Sequence, residues 1–90
     1  MLEGTVKVIN PLGLHARAAA QVVKLASGFN SRITVTRTDN SASADAKSML
    51  SVLTLAASMH TMLELTVTGD DETAAFDAVN DLFNRGFGEM

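Results

Sequence analysis

The stretch Leu63-Glu64-Leu65-Thr66-Val67 alternates apolar and polar side chains without a break. Because successive side chains of a strand point to opposite faces, this pattern predicts a strand with one buried face and one solvated face. Arg32-Ile33-Thr34-Val35-Thr36 and Thr5-Val6-Lys7-Val8 have the same alternation, and Ser41-Ala42-Ser43-Ala44 indicates a short fourth strand at an edge. Sheets that are apolar on one face only are usually antiparallel, which is the pairing we expect.

Between the predicted strands, apolar residues recur at helical spacing. The first helix begins at Ala16 and is predicted to end at Gly28, in the left-handed conformation that glycine favours. A short second helix, Ala46 to Leu55, has Asp45 as its predicted N-cap. The acids of the turn Gly69-Asp70-Asp71-Glu72 are predicted to cap and charge the start of a third helix. The apolar stripe of that helix consists of Ala75, Phe76, Val79, Leu82 and Phe83.

All three helices must cover the single apolar face of the sheet. The sequence therefore predicts an α+β fold, an open-faced β-sandwich of element order β-α-β-β-α-β-α, with a four-stranded antiparallel sheet and three helices on one face. A right-handed crossover together with antiparallel pairing places the last strand between the first two. Because no linker or repeat divides the chain, residues 1–90 are predicted to form a single domain.

The composition excludes several classes of function. A formal net charge of −3 and the absence of Trp and Tyr argue against nucleic-acid binding. With no cysteine, no ligand spacing around His15 and His60 and no glycine-rich nucleotide loop, we expect neither a metal nor a cofactor. No apolar run reaches the ~20 residues of a membrane span, and Met1-Leu2-Glu3-Gly4 lacks the regions of a signal peptide. We therefore predict a cytoplasmic protein that does not contact membranes.

The run Gly13-Leu14-His15-Ala16-Arg17 lies where the first strand ends and the first helix begins. The free N–H groups and the positive dipole end of a first helical turn form a site for an anion. His15 offers a nucleophilic ring nitrogen there, and Arg17 offers a permanent positive charge. This arrangement suits a transferable phosphoryl group, although a histidine before a helix can also be a solvated loop residue or an N-cap.

The same run, followed by Ala19-Ala20, resembles the active-site signature of HPr, the histidine-containing phosphocarrier family of the bacterial phosphotransferase system. Gly28-Phe29, Ala46-Lys47-Ser48-Met49-Leu50 and Leu65-Thr66-Val67-Thr68-Gly69 extend the resemblance over nearly the whole chain. It implies that His15 accepts a phosphoryl group from enzyme I, that Arg17 stabilises this group, and that an A-type enzyme II component receives it. Such a protein is a phosphoryl carrier rather than an independent enzyme, and we expect it to be a monomer.

The resemblance implies a regulatory role for Ser48, which in this family is phosphorylated by an HPr kinase/phosphorylase. The residues alone offer a second interpretation, because serine is a common helix N-cap. Both interpretations stay open on the sequence.

A surface for protein partners is predicted around His15. Val52 and Leu55 are expected to enter the core, which leaves the other apolar side chains of the second helix exposed beside basic ones. The predicted partner-binding residues are Ala16, Ala20, Lys24, Lys47, Met49, Leu50 and Leu53. The partners expected are enzyme I, the enzyme II component, the kinase and a transcriptional regulator.

Three segments depart from the usual pattern of the family. Ala18 stands where proline is usual, Met59-His60-Thr61-Met62 replaces a polar turn that contains glycine, and Leu82-Phe83-Asn84-Arg85-Gly86-Phe87 resembles the nitrogen-related (NPr) branch. Two alternatives to a sugar-uptake carrier therefore remain. One is a nitrogen-regulatory phosphocarrier, and the other is a regulatory module that binds a transcription factor without transferring phosphate.

Overall fold

A computed structural model describes residues 1–89, in which four strands and three helices are ordered as the sequence predicts. The elements are β1 (Leu2–Lys7), α1 (Ala16–Ala26), β2 (Arg32–Arg37), β3 (Ser43–Asp45), α2 (Met49–Thr54), β4 (Met62–Thr68) and α3 (Glu72–Asn84), followed by a 3₁₀ helix at Gly86–Gly88. The 3₁₀ helix was not predicted, and it positions part of the candidate site.

The sheet has the order β1-β4-β2-β3, and every neighbouring pair is antiparallel. The predicted insertion of the last strand between the first two is confirmed. Leu65 lies opposite Val35 of β2 and Gly4 of β1, and Leu63 lies opposite Val6. In this register, the apolar residues of the alternating strands lie on one face of the sheet, as their sequences predict.

The core lies between that sheet face and the helices. The helices and strands contribute apolar side chains that pack closely together. The largest fully buried ones are Val8, Val22, Ile33, Val35, Val52, Leu63, Leu65, Val67, Val79 and Phe83. The predicted α+β open-faced sandwich is confirmed.

The predicted N-cap of α2 is wrong. Asp45 ends β3, and its carboxylate accepts the Lys47 N–H at 2.9 Å while Ala46 N–H still donates to the Ile33 carbonyl. The chain thus makes a side-chain-supported turn before the helix. Ser48 is the N-cap instead, and its hydroxyl accepts the Ser51 N–H at 3.3 Å.

The predicted left-handed end of α1 at Gly28 is also wrong. Ser27 ends the helix with right-handed backbone angles, and Gly28 N–H donates to the Leu25 carbonyl at 3.1 Å. Gly28 is not among the described residues with a positive φ. The helix therefore ends with a hydrogen bond of the 3₁₀ type rather than in the left-handed conformation that glycine permits.

Asp71 does not cap α3 with its side chain, contrary to the prediction for the acidic turn. Its carboxylate instead accepts backbone N–H groups from Asn30 at 2.8 Å and Ser31 at 2.9 Å, as well as the Ser31 hydroxyl. The hydroxyl hydrogen bond and these amides hold the pKa of Asp71 below its usual value. The carboxylate therefore ties the start of α3 to the loop between α1 and β2.

Replacing Asp71 with Asn should lower the melting temperature at neutral pH. The pKa of Asp71 is lower in the folded protein than in the unfolded chain. Its carboxylate therefore stabilises the fold fully above the unfolded pKa of about 4, and this stabilisation is lost as pH falls through the lower folded value. In melting curves from neutral to acid pH, the difference in melting temperature between wild type and variant should become smaller below about pH 4. Asp70→Asn, which removes the same charge from an exposed neighbour, is the control, and an equal pH profile for both variants would contradict the assignment.

Candidate functional site

His15 is the N-cap of α1, with φ −71° and ψ 176°. Its Nδ1 accepts the backbone N–H of Arg17 at 3.3 Å, and its carbonyl accepts the Ala19 N–H at 2.8 Å. The interpretation of His15 as an N-cap is therefore correct, and it is compatible with His15 as a nucleophile. A ring nitrogen that accepts from the first turn has its lone pair directed at the amides and the dipole of the helix.

The loop before His15 is fixed by Gly13, whose φ is +66°. Gly13 N–H donates to the Asn10 carbonyl at 3.1 Å, and Leu14 N–H donates to the Ala57 carbonyl at 2.8 Å. A Cβ atom at Gly13 would lie 2.5 Å from that Ala57 oxygen and 2.9 Å from the Cα of Ser58. The turn after β1 is thus pressed against the segment that follows α2, which sets the position of His15.

The other ring nitrogen of His15 faces Glu89. Nε2 contacts the Oε2 atom of Glu89, while Asn10 Nδ2 donates both to Glu89 Oε1 at 2.9 Å and to the Gly13 carbonyl at 2.8 Å. The side chains of His15 and Glu89 are 26% and 15% exposed, and Asn10 is fully buried. The His15 ring is therefore held at both nitrogens.

The 3₁₀ helix after α3 brings Glu89 to this position. Phe87 is buried with its ring edge-on to Phe83, at 5.0 Å between centroids, and has a left-handed φ of 59°. Gln21 of α1 donates to the Phe87 carbonyl at 3.2 Å. Neither Glu89 nor Asn10 was predicted as a site residue from the sequence. An aromatic residue between glycines, Gly86-Phe87-Gly88, was the available signal for an anchored turn.

The Glu89 carboxylate is an ionised partner for the His15 ring. The hydrogen bond from Asn10, and then the nearby His15 ring and Arg17 charge, hold the pKa of Glu89 below its usual value. Nδ1 accepts the Arg17 N–H, and an ionised carboxylate only accepts hydrogen bonds, so the two contacts place a proton on Nε2. The lone pair of Nδ1 then faces the start of α1.

An open depression of about 430 Å³ is lined by Pro11, Leu12, Arg17, Phe87, Gly88 and Glu89. Two of these residues, Arg17 and Glu89, also contact the His15 ring. Arg17 is exposed there, so its guanidinium can reach an anion from solvent. A larger depression of about 610 Å³ lies elsewhere, around Asn30, Ser31 and Arg32, and does not include His15.

The remaining predicted residues of α1 lie on its outer surface. Ala16, Ala20 and Lys24 are exposed at spacings of four, so they share one side of the helix. Lys47, by contrast, is half-buried, and its Nζ donates to the Phe29 carbonyl at 2.7 Å. This bond links the end of α1 to the start of α2, which gives Lys47 a structural role.

The apolar residues of α2 divide differently from the prediction. Val52 and Leu55 are buried as expected, and Leu50 and Leu53 are 74% and 37% exposed. The predicted exposure of Met49 is wrong, because its side chain is half-buried against the core. Met49 therefore packs with Val52 and Leu55 toward the core, while Leu50 and Leu53 face solvent.

Within residues 1–89, no group of three His, Cys, Asp or Glu side chains is placed to hold a metal ion. Over the same residues, no helix has the length and hydropathy of a membrane span.

A family model described as "PTS HPr component phosphorylation site" matches residues 2–85. The chain belongs to the HPr family. It is 42% identical to the phosphocarrier protein HPr of Neisseria meningitidis serogroup A over 89 residues, covering 99% of this chain and 98% of that protein. Its structure matches the crystal structure of HPr-C-His from Thermoanaerobacter tengcongensis with a TM-score of 0.92, at 39% identity, covering 100% and 99% of the two chains.

Within the HPr family, the chain is also similar to the NPr branch. It is 38% identical to the phosphocarrier protein NPr of Escherichia coli K12 over 85 residues, covering 94% of this chain and 93% of that protein. Both relatives are named phosphocarrier proteins, and the general role of a phosphocarrier of the phosphotransferase system is the one that the family gives to the chain.

Proposed function

We propose that this chain accepts a phosphoryl group from enzyme I on Nδ1 of His15 and passes it to an A-type enzyme II component. The observation that supports the proposal is the orientation of the ring. Its unprotonated nitrogen faces the first turn of α1, at 3.3 Å from the Arg17 amide nitrogen.

The chemical step needs no cofactor. The Nδ1 lone pair forms a bond to phosphorus, the bond from phosphorus to the donor breaks, and its electron pair leaves with the donor. The amides of the first turn, from Ala16 to Ala18, have no intrahelical acceptor and can bond to the phosphoryl oxygens. The Arg17 guanidinium supplies further donors and a charge that offsets that of the phosphoryl group.

Ala18 bears on this step because the family usually has proline there. Ala18 is buried in the first turn of α1 and carries an N–H that proline would lack. We expect this amide to add one donor for the phosphoryl oxygens. The start of the helix keeps its geometry without proline, since Gly13 and Ala57 already fix the preceding loop.

The docking surface of this carrier would combine the outer side of α1 with α2. Ala16, Ala20 and Lys24 present a small-residue and basic surface on α1, and Leu50 and Leu53 present apolar surface on α2, which packs against α1. Exposed apolar side chains with a basic rim are typical of a transient protein interface. Enzyme I and the enzyme II component would use the same surface in turn.

Replacing Leu50 with Glu should raise the KM for transfer from enzyme I by about tenfold, as expected for a central interface residue. Leu50 is 74% exposed, so the fold should be unaffected. Met62→Glu is the matched control, because it adds the same charge at an exposed apolar residue on the helix-free face of the sheet. Steady-state transfer kinetics should separate the two variants, and equal KM values would count against the docking surface.

Ser48 would serve as a regulatory site. Its hydroxyl caps α2 through Ser51, so a phosphate there would replace that hydrogen bond and add negative charge next to the apolar docking residues. Phosphorylation by an HPr kinase/phosphorylase would therefore weaken docking to acidic partners. A transcriptional regulator is a further partner for the same surface. The proposal places the carrier in the cytoplasm as a monomer.

Labelled phosphoenolpyruvate and enzyme I test the proposal directly. We expect an acid-labile, base-stable adduct that maps to the peptide containing His15. An absent adduct would instead support the non-transferring regulatory module. Comparing the rates with the sugar-branch and nitrogen-branch enzymes I then assigns the branch, for which the NPr relative provides the reason to test both.

A further inference from the structure

We propose that Glu89, braced by Asn10, is a positioning residue that fixes the tautomer of His15 and stabilises the positive charge of its phosphorylated ring. The proposal rests on the phosphocarrier function, but its first part concerns the free protein and can be tested without transfer.

The bracing geometry is defined by its hydrogen-bond partners. Asn10 Nδ2 faces two acceptors, the Glu89 carboxylate and the Gly13 carbonyl, so its amide cannot be turned over without losing both bonds. One carboxylate oxygen thus takes the Asn10 bond and the other takes Nε2 of His15. Glu89 is thereby aligned with the ring rather than free in solvent.

The alignment matters because of where charge develops. When Nδ1 bonds to phosphorus, the proton on Nε2 stays, and the ring becomes a phosphoimidazolium with positive charge. A carboxylate on Nε2–H stabilises that charge, as a carboxylate does behind the histidine of a hydrolase triad. The protonated ring is also the better leaving group, so Glu89 keeps the bound phosphoryl group ready for the next acceptor.

The charged groups near the ring come from two elements. Glu89, from the segment after α3, contacts Nε2, and the backbone N–H of Arg17 in α1 contacts Nδ1. The Arg17 guanidinium is close enough to Glu89 to help lower the pKa of its carboxyl. Asn10, from the turn after β1, is neutral. The Arg17 charge is common to every Glu89 variant, so changes at Glu89 report on Nε2.

The test compares wild type with Glu89→Gln, which keeps the shape and removes the charge, and with Glu89→Asp, which keeps the charge. Ring ¹⁵N shifts of unphosphorylated His15 should show Nε2–H in wild type and a mixture of tautomers in Glu89→Gln. The pH midpoint of phosphohistidine hydrolysis should fall by about one unit in Glu89→Gln, and transfer from enzyme I should slow about tenfold. Glu89→Asp should recover part of the hydrolysis midpoint and part of the transfer rate. Glu64→Gln, at an exposed position of β4, controls for net charge.

Each outcome decides one of the two proposals. A wild-type ring protonated on Nδ1, or a Glu89→Gln variant with unchanged tautomer, hydrolysis profile and transfer rate, overturns the role of Glu89. A merely structural role would lower the melting temperature without moving the hydrolysis midpoint, and that result also overturns it. Failure of every protein, wild type included, to accept phosphate overturns the phosphocarrier function instead, while the tautomer measurement still decides on Glu89.

Discussion

Replacing His15 with Ala should reduce phosphoryl acceptance from enzyme I by at least about a thousandfold, to background. The variant loses the nucleophilic nitrogen, and the cationic Arg17 guanidinium is not a nucleophile. The Glu89 carboxylate is held by Asn10 on the Nε2 side of the ring, away from the first-turn amides that would bind the phosphoryl oxygens. Loss of the cap should cost about 1 kcal/mol of stability, so the protein should still fold. Labelling with phosphoenolpyruvate and enzyme I, next to a thermal melt, measures both effects.

His60→Ala is the matched control for this prediction. His60 is the second of the two histidines in the chain, and it is exposed in the loop before β4. We expect its replacement to leave the labelling rate unchanged. Equal labelling of the His15→Ala variant and wild type would contradict the assignment of the acceptor.

Replacing Gly13 with Ala should destabilise the protein by about 3 kcal/mol and displace His15. The left-handed backbone costs a residue with a Cβ about 1–2 kcal/mol, and overlap with well-packed atoms costs about 1–3 kcal/mol more. The overlapping atoms are backbone atoms of Ala57 and Ser58, which cannot rotate away. Denaturant unfolding gives the stability, and transfer kinetics should show a lower rate, because His15 follows two residues later.

Gly88→Ala separates the two causes. Gly88 has a φ of +75°, similar to that of Gly13, but a Cβ there would meet no atom within 4 Å among the described residues. The Gly88→Ala variant should therefore lose only the stability that the left-handed backbone costs, about 1–2 kcal/mol. Equal losses at Gly13 and Gly88 would show that the contact with Ala57 does not hold the loop.

The sheet could be predicted from the sequence because each long strand has a buried face, and the two-residue period then fixes every side chain. Helix boundaries that depend on local hydrogen bonds could not be predicted in this way. Asp45 has the side chain of an N-cap, yet Ala46 N–H donates to Ile33 and delays the helix until Ser48. Propensity alone does not show that a neighbouring strand competes for the same backbone group.

The site was predictable in part for a similar reason. His15 and Arg17 are close in sequence and share one helix start, so their cooperation follows from the helix geometry. Glu89 lies 74 positions from His15 and reaches it only through the left-handed turn at Phe87. A non-glycine residue in that conformation is uncommon, and its position depends on packing against Phe83, which spacing does not reveal.

The central claim is that Nδ1 of His15 receives the phosphoryl group, and NMR of the phosphorylated ¹⁵N-labelled protein tests it most directly. We predict that phosphorus couples to Nδ1 of His15 and that Nε2 keeps its proton. Coupling to Nε2, or to a nitrogen of His60, would contradict this account of the site.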